Sequence, residues 1–187
     1  MLRQWSRTMI MVFLALLIFG SSSVSATGTD GFMDIPWGTS RGDVAKKMAE
    51  LSYPKDTDSN AERDVYDGMF AGRKAFLSFF YINNLFYKSN VYFIDTYHSP
   101  QEGDFRALID AYFKDFENQL ISKYGKPAFV FNGVDNWTAE DQGTRISIML
   151  GHAYGEPRFG VYSGVTITYT NTTFYEKEKQ HTMNRDL

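Results

Sequence analysis

Apolar positions fall along this chain in blocks whose spacing changes from one block to the next. Met9 to Phe19 is an unbroken apolar run, with Arg3 and Arg7 before it and the small residues Gly20-Ser21-Ser22-Ser23 and Val24-Ser25-Ala26 after it. A basic start, an apolar run about half as long as the ~20 residues a membrane span needs, and small residues at a cleavage point form a secretory signal pattern. Cleavage is expected after Ala26, which gives a signal peptide over 1–26, a single α+β domain over 27–172 and a polar tail over 173–187.

Beyond that point the pattern predicts a first helix capped by Thr39-Ser40. Asp43 stands at capping-box spacing, and Val44, Ala45, Met48 and Leu51 form the apolar stripe. The polar stretch Lys55 to Asp64 reads as a solvated loop. Three strands follow over Val65–Phe70, Arg73–Tyr81 and Leu85–Asp95, with Asn83-Asn84 as a hairpin turn. A second helix starts at Ser99, Pro100 and Glu102, which have the form of a capping box with proline in the first turn. Its stripe of Phe105, Leu108, Ile109, Tyr112, Phe113, Phe116, Leu120 and Tyr124 is expected to face a sheet, and Gly125 and Pro127 end it. Ala128–Asn132, a short piece around Trp137, Arg145–Leu150 and Gly160–Thr170 read as further strands. Val165, Ile167 and Tyr169 alternate with threonines in the last of these. The expected architecture is therefore α+β: an antiparallel sheet of about six strands, two main helices on one face, and the order of a duplicated α-β-β-β unit. The end, from Tyr175, is either a frayed helix or a disordered tail.

Composition narrows the class. The chain has 187 residues, a formal charge of −3 and no cysteine. Arg3 and Arg7 lie in the signal while every acid lies beyond it, so the exported part is more acidic than the whole. A domain of that charge with no basic cluster is poorly suited to nucleic acid or an anionic membrane. Without cysteine there are no disulfides, no thiol catalysis, no cysteine-based zinc site and no lipid-bearing cysteine after the signal. Packing must hold the fold, and aromatic residues, 17% of the chain, are the expected means.

Candidate chemistry is sparse. Asp56, Asp58, Asn60, Glu62, Asp64 and Asp67 fall at the oxygen-bearing positions of a calcium loop. Ala61 replaces the turn glycine, Arg63 adds positive charge and Asp67 is shorter than the usual glutamate, so a solvated acidic loop is the favoured expectation. His98, His152 and His181 lack metal-ligand spacing, and His152 has Glu156, Glu140 or Asp141 as conceivable partners. Gly151, Gly155, Gly160 and Gly164 form no phosphate loop, and no nucleophile elbow occurs. Glu140-Asp141 is a carboxylate pair without geometry to give it weight. Trp37 and Trp137 read as plugs at the sheet ends. Asn136-Trp137-Thr138 and Asn171-Thr172-Thr173 match the glycosylation pattern, which has no bearing in a bacterial setting. No catalytic, cofactor-binding or metal residue is assigned, and no cofactor is expected.

Phe32-Met33-Asp34-Ile35-Pro36-Trp37-Gly38-Thr39-Ser40, followed by Val44 and Met48, resembles the opening of a group of exported bacterial proteins of unknown function. Lys123-Tyr124-Gly125-Lys126-Pro127 and Ile167-Thr168-Tyr169-Thr170 are similar to two further marks of that group. The resemblance implies export and supplies no functional residues. A looser similarity, in the turn-to-helix start followed by strands, is to the helix-plus-antiparallel-sheet modules of the small outer-membrane-assembly lipoprotein and the β-lactamase inhibitor protein. It implies binding within the envelope, although the cysteines of both are lacking here. The expected role is an exported, periplasmic or secreted, non-catalytic binding or accessory domain of the bacterial cell envelope, with an envelope protein or polysaccharide as partner. The alternatives are a small-ligand or calcium-binding periplasmic protein and, third, an envelope hydrolase.

Overall fold

In the computed structural model, residues 30–93, 106–141, 144–153 and 164–185 are described. The signal pattern, the capping box at Ser99 and the strand beyond Phe93 therefore lie outside the described residues. The opening motif is a miniature hairpin of β1 (Gly31–Phe32) and β2 (Ile35–Pro36), turned by Met33 and Asp34 at φ 52° and 59°. A Cβ on Gly31 would stand 2.2 Å from the Ile35 carbonyl oxygen, so only glycine lets these strands approach. Helix α1 (Arg41–Glu50) is capped by Ser40, whose hydroxyl accepts the Asp43 N–H as the spacing predicts. The chain before it is pinned to the sheet, with Gly38 N donating to the Phe86 carbonyl and Arg41 N to that of Asn84.

Strands β3 (Arg63–Phe70), β4 (Arg73–Ile82) and β5 (Leu85–Phe93) form a meander. Its tight turns are Ala71-Gly72 and Asn83-Asn84, all four with positive φ, the geometry that matches strand twist. Helix α2 (Arg106–Tyr124) leads into β6 (Phe129–Phe131), β7 (Val134–Asp141), β8 (Thr144–Ala153) and β9 (Gly164–Asn171). Seven strands form one antiparallel sheet in the order β3-β4-β5-β9-β8-β7-β6.

That order has the symmetry a repeated α-β-β-β unit demands. The trio β3-β4-β5 meets the trio β9-β8-β7 last strand to last strand at the centre, and β6 is an added edge. Register matches as well as order. Asp64 opposes Phe79 and Tyr66 opposes Leu77 in the first half; Asp135 opposes Leu150 and Trp137 opposes Ile148 in the second. Both edge-side pairs close at the same distance, Phe70 on Arg73 and Asp141 on Thr144.

One sheet face holds the core. Phe32 packs against Phe70, Phe79 and Tyr169 with ring centroids 5.5–5.8 Å apart, and Phe93 stacks on Phe116 of α2 at 4.2 Å. Ile109, Phe116 and Leu120 carry the buried stripe of α2, whereas Leu108, expected inside, is 37% exposed. One position around a helix turns a side chain by about 100°, so Ile109 and not Leu108 meets the sheet. Trp137 is a buried plug whose Nε1 donates to the Gly125 carbonyl at 2.9 Å, and Trp37 stacks on Phe86.

Of the two expectations for the polar end, the helix is the one found. Thr172–Arg185 is helix α3, and the Phe174 N–H donates to Asn171 Oδ1 at 2.8 Å, an N-cap. Asn83 Nδ2 donates to Glu178 and Thr182, while Tyr175 stacks on Tyr87. Tyr87 is free to do so because a bulge leaves it outside the β4–β5 register.

Candidate functional site

The acidic stretch after α1 lies along β3 and seals it. Asp67 N donates to the Pro54 carbonyl, Asp56 N to that of Val65 and Asn60 N to that of Arg63. The Val65 N–H is taken by Ser59 Oγ and the Arg63 N–H by Asn60 Oδ1. The outward N–H groups of Arg63, Val65 and Asp67 are thus satisfied from within the chain, so this segment, an exposed loop as expected, also serves as a fitted cover for the β3 edge. Two of the calcium-loop side chains spend an oxygen on the same segment. Asp56 Oδ1 accepts the Asp58 N–H at 2.7 Å, and Asn60 Oδ1 also accepts the Glu62 N–H. Asp67 is exposed out on β3. Among the described residues no group of three or more His, Cys, Asp or Glu side chains is placed to hold a metal ion.

Asp64 faces the core and is buried. Arg41 Nε and Nη2 donate to its two oxygens at 3.0 and 2.6 Å, and Lys55 Nζ lies 2.6 Å from Oδ1. Arg41 also donates to the Asn60 and Ala61 carbonyls, which ties the edge cover to α1. Burial alone would raise the Asp64 pKa; the hydrogen bonds and charges of Arg41 and Lys55 outweigh it and hold it below the usual range. Its hydrogen bond in turn pushes the Arg41 pKa up. Burial, with the Asp64 charge added, pushes the Tyr66 hydroxyl up to about 12 and drives Tyr81 up as well. Neither hydroxyl has a well-formed hydrogen bond, although Tyr81 faces the carboxylate.

On the opposite face, side chains run in straight rows across six strands. One row is Arg63, Phe80, Lys88, Thr170, Ser147 and Thr138; the next is Val65, Ser78, Asn90, Thr168, Met149 and Asn136. Most of these residues are half-buried. Where this face meets the edge cover there is a cavity of about 350 Å³, lined by Asp56, Asp58, Arg63, Val65, Phe76, Ser78 and Tyr92. Arg63 lines this space and its guanidinium forms no ion pair among the described residues, while its Nε is buried without an acceptor among them. In the neighbouring row the Asn90 Oδ1 is buried without a donor while its Nδ2 donates to the Tyr92 hydroxyl.

The second half holds the counterpart of the Asp64 cluster. Asp135 occupies the same register position, is 5% exposed, and its Oδ2 has no hydrogen-bond partner. His152 stands where Tyr81 stands in the first half, its ring 4.5 Å from that of Phe113. Burial raises the Asp135 pKa, and the Glu117 charge adds to this against the weaker pull of His152 and Lys114. Glu140, a conceivable partner of His152, pairs instead with Arg145 at the far end of the β7–β8 hairpin, and His181 is on α3. His98 and Glu156 lie outside the described residues. The Asn171 of the glycosylation pattern is 4% exposed and committed to the α3 cap.

Sequence reading missed Arg63, Asn90 and Asp135 as functional candidates. Period-two counting from Asp64 places Arg63 on the face opposite the core, but only the fold shows that its guanidinium has no ion pair among the described residues. The chain matches no protein-family model, no curated protein and no solved structure.

Proposed function

We propose that this protein is an exported, non-catalytic binding domain of the bacterial cell envelope, and that its binding site is the Arg63 cavity. The observation that carries this is Arg63, a cation without an ion pair among the described residues, lining a concave space of about 350 Å³ opposite Asp56 and Asp58. An orphaned charged donor costs on the order of 1–3 kcal/mol, and a cavity of this size with an aromatic wall and a few fixed polar groups is what ligand sites use. The charged start, apolar run and small residues before Thr27 support export, as does the resemblance of the opening to exported bacterial proteins. N-terminal sequencing of the protein from its native cell should begin at or near Thr27.

The site is tested by residue-resolved NMR of the purified protein titrated with a fractionated envelope extract. Shifts gathered on Arg63, Val65, Phe76, Ser78 and Tyr92 are the expected result. Shifts elsewhere alone, or turnover of an envelope component, would overturn this reading.

A second reading rests on β6. Phe129, Val130 and Phe131 are 60%, 62% and 66% exposed on an outer strand. An apolar edge with open backbone groups is suited to an extended segment of a partner protein added as a further strand. Shifts confined to β6 in the same titration would favour it.

A further inference from the structure

We propose that the Arg63 cavity selects a zwitterion, an amino acid or short peptide bearing both a carboxylate and an ammonium group with an apolar side chain; this rests on the binding reading above. Arg63 is fixed by its place on β3, and its planar fork is the group best matched to a carboxylate. Asp56 and Asp58 line the same space with the opposite charge, yet neither closes on Arg63. The loop prevents collapse, because Asp56 is held at both its N–H, by the Val65 carbonyl, and its Oδ1, by the Asp58 N–H. Opposite charges are therefore held apart across an open space.

That arrangement discriminates. A simple anion would meet Arg63 but also two carboxylates, and a simple cation would meet the guanidinium. A neutral sugar could hydrogen-bond the guanidinium but would leave the charge separation unused. A zwitterion places its carboxylate at Arg63 and its ammonium towards Asp58. Between them Val65, Phe76 and Tyr92 offer an apolar wall, with Phe76 and Tyr92 adjacent across β4–β5.

Calorimetric titration of the purified protein with L-leucine, L-leucyl-L-leucine, leucinamide, N-acetyl-leucine and cellobiose tests this. One of the first two should bind saturably, with the free amino acid and the dipeptide separating the two sources of the same chemistry. Leucinamide, lacking the carboxylate, and N-acetyl-leucine, lacking the ammonium, should each bind at least about tenfold more weakly. Arg63→Gln should erase the preference over leucinamide, and Asp58→Asn the preference over N-acetyl-leucine, with melting temperatures no lower than that of the unaltered protein. A loss of binding in Arg63→Gln that follows a loss of melting temperature would make Arg63 structural and overturn the assignment. Equal binding of cellobiose would overturn the ligand class while leaving a binding site at Arg63. No heat from any probe would also overturn the ligand class, and envelope-extract shifts at Arg63 and Tyr92 would then decide the broader reading separately.

Discussion

The two halves of the sheet bury an aspartate at the same register position and treat it in opposite ways. Asp64 is met by Arg41 from the start of α1 and by Lys55 from the edge cover. Asp135 faces Glu117, His152 and Lys114 and keeps one oxygen without a hydrogen bond. Strand register decides that each carboxylate points into the core; the elements laid over the sheet decide whether it is neutralised there. The first half is locked by charge, and its lock anchors the segment that seals β3 and borders the Arg63 cavity. Among the described residues the second half has no such lock and carries an acid whose ionised form burial disfavours.

The largest expected effect comes from undoing that lock. Arg41→Ala leaves Asp64 buried with half its compensation gone, and removing one partner of a buried pair costs about 3–5 kcal/mol. Urea unfolding measures it, and a loss under about 1 kcal/mol would mean the pair is effectively solvated. The pH dependence has a definite sign. Because the Asp64 pKa is lowered in the fold, its contribution is present above the ordinary carboxylate range and is lost as pH falls through the lower folded value. Stability of the native protein should therefore fall on acidification, and Asp64→Asn should flatten that limb.

Phe116 joins the two halves, since its helix α2 opens the second and its ring partner Phe93 belongs to β5 of the first. Phe116→Ala should cost about 3–5 kcal/mol, since the ring is 2% exposed and stacked on Phe93. Leu108→Ala, on the same helix but outside the stripe, should stay within about 0.5 kcal/mol. Equal losses at the two positions would mean that α2 is rotated from the orientation described.

Asp135 gives a smaller effect of opposite sign. Its pKa is raised in the fold, so the penalty is full at neutral pH and is relieved as pH falls through the raised folded value, where the native state takes up a proton before the unfolded chain. Asp135→Asn should therefore stabilise the protein by roughly 1 kcal/mol at neutral pH, an advantage that shrinks in acid. A loss of stability at neutral pH would show that the carboxylate has a partner the geometry does not reveal.

Much of this frame is legible in the residues. Ser40 and Asp43 mark the start of α1, Asn83-Asn84 marks a hairpin, and the alternation of Val165, Ile167 and Tyr169 marks a central strand. These features rest on local chemistry, which neighbours in sequence supply. The signals that failed were non-local. Leu108 and Ile109 are equally apolar, and only the direction of approach of α2 separates them. The 173–187 segment looked like a polar tail because α3 is held by its cap, by Asn83 and by two tyrosines, not by an apolar stripe. The Asp56–Asp67 spacing resembled a calcium loop because edge sealing and metal binding both call for closely spaced side-chain oxygens. Asn132-Gly133, with φ 50° and 74°, is a strong hairpin signal that would have joined β6 to β7. The Arg63 site has no local signature, since its parts come from a loop and three strands.

The two sheet edges sharpen the comparison with the smallest expected change. At β3 the backbone donors of Arg63, Val65 and Asp67 are all taken by residues 54–60. At β6, among the described residues, one side of Phe129–Phe131 is paired, to Asn136, Asp135 and Val134 of β7. Side chains there are already in water, so Val130→Lys removes little buried area and should change the unfolding free energy by less than about 0.5 kcal/mol. A lysine on an outer strand does oppose the approach of a further strand, so the same change should reduce association through that edge, read by sedimentation velocity at rising concentration. The corresponding edge test on the other side is Ser59→Ala, which uncovers the Val65 N–H and should cost about 1 kcal/mol. A larger loss from Val130→Lys than from Ser59→Ala would mean that β6 is covered in the folded protein and that the two edges are alike.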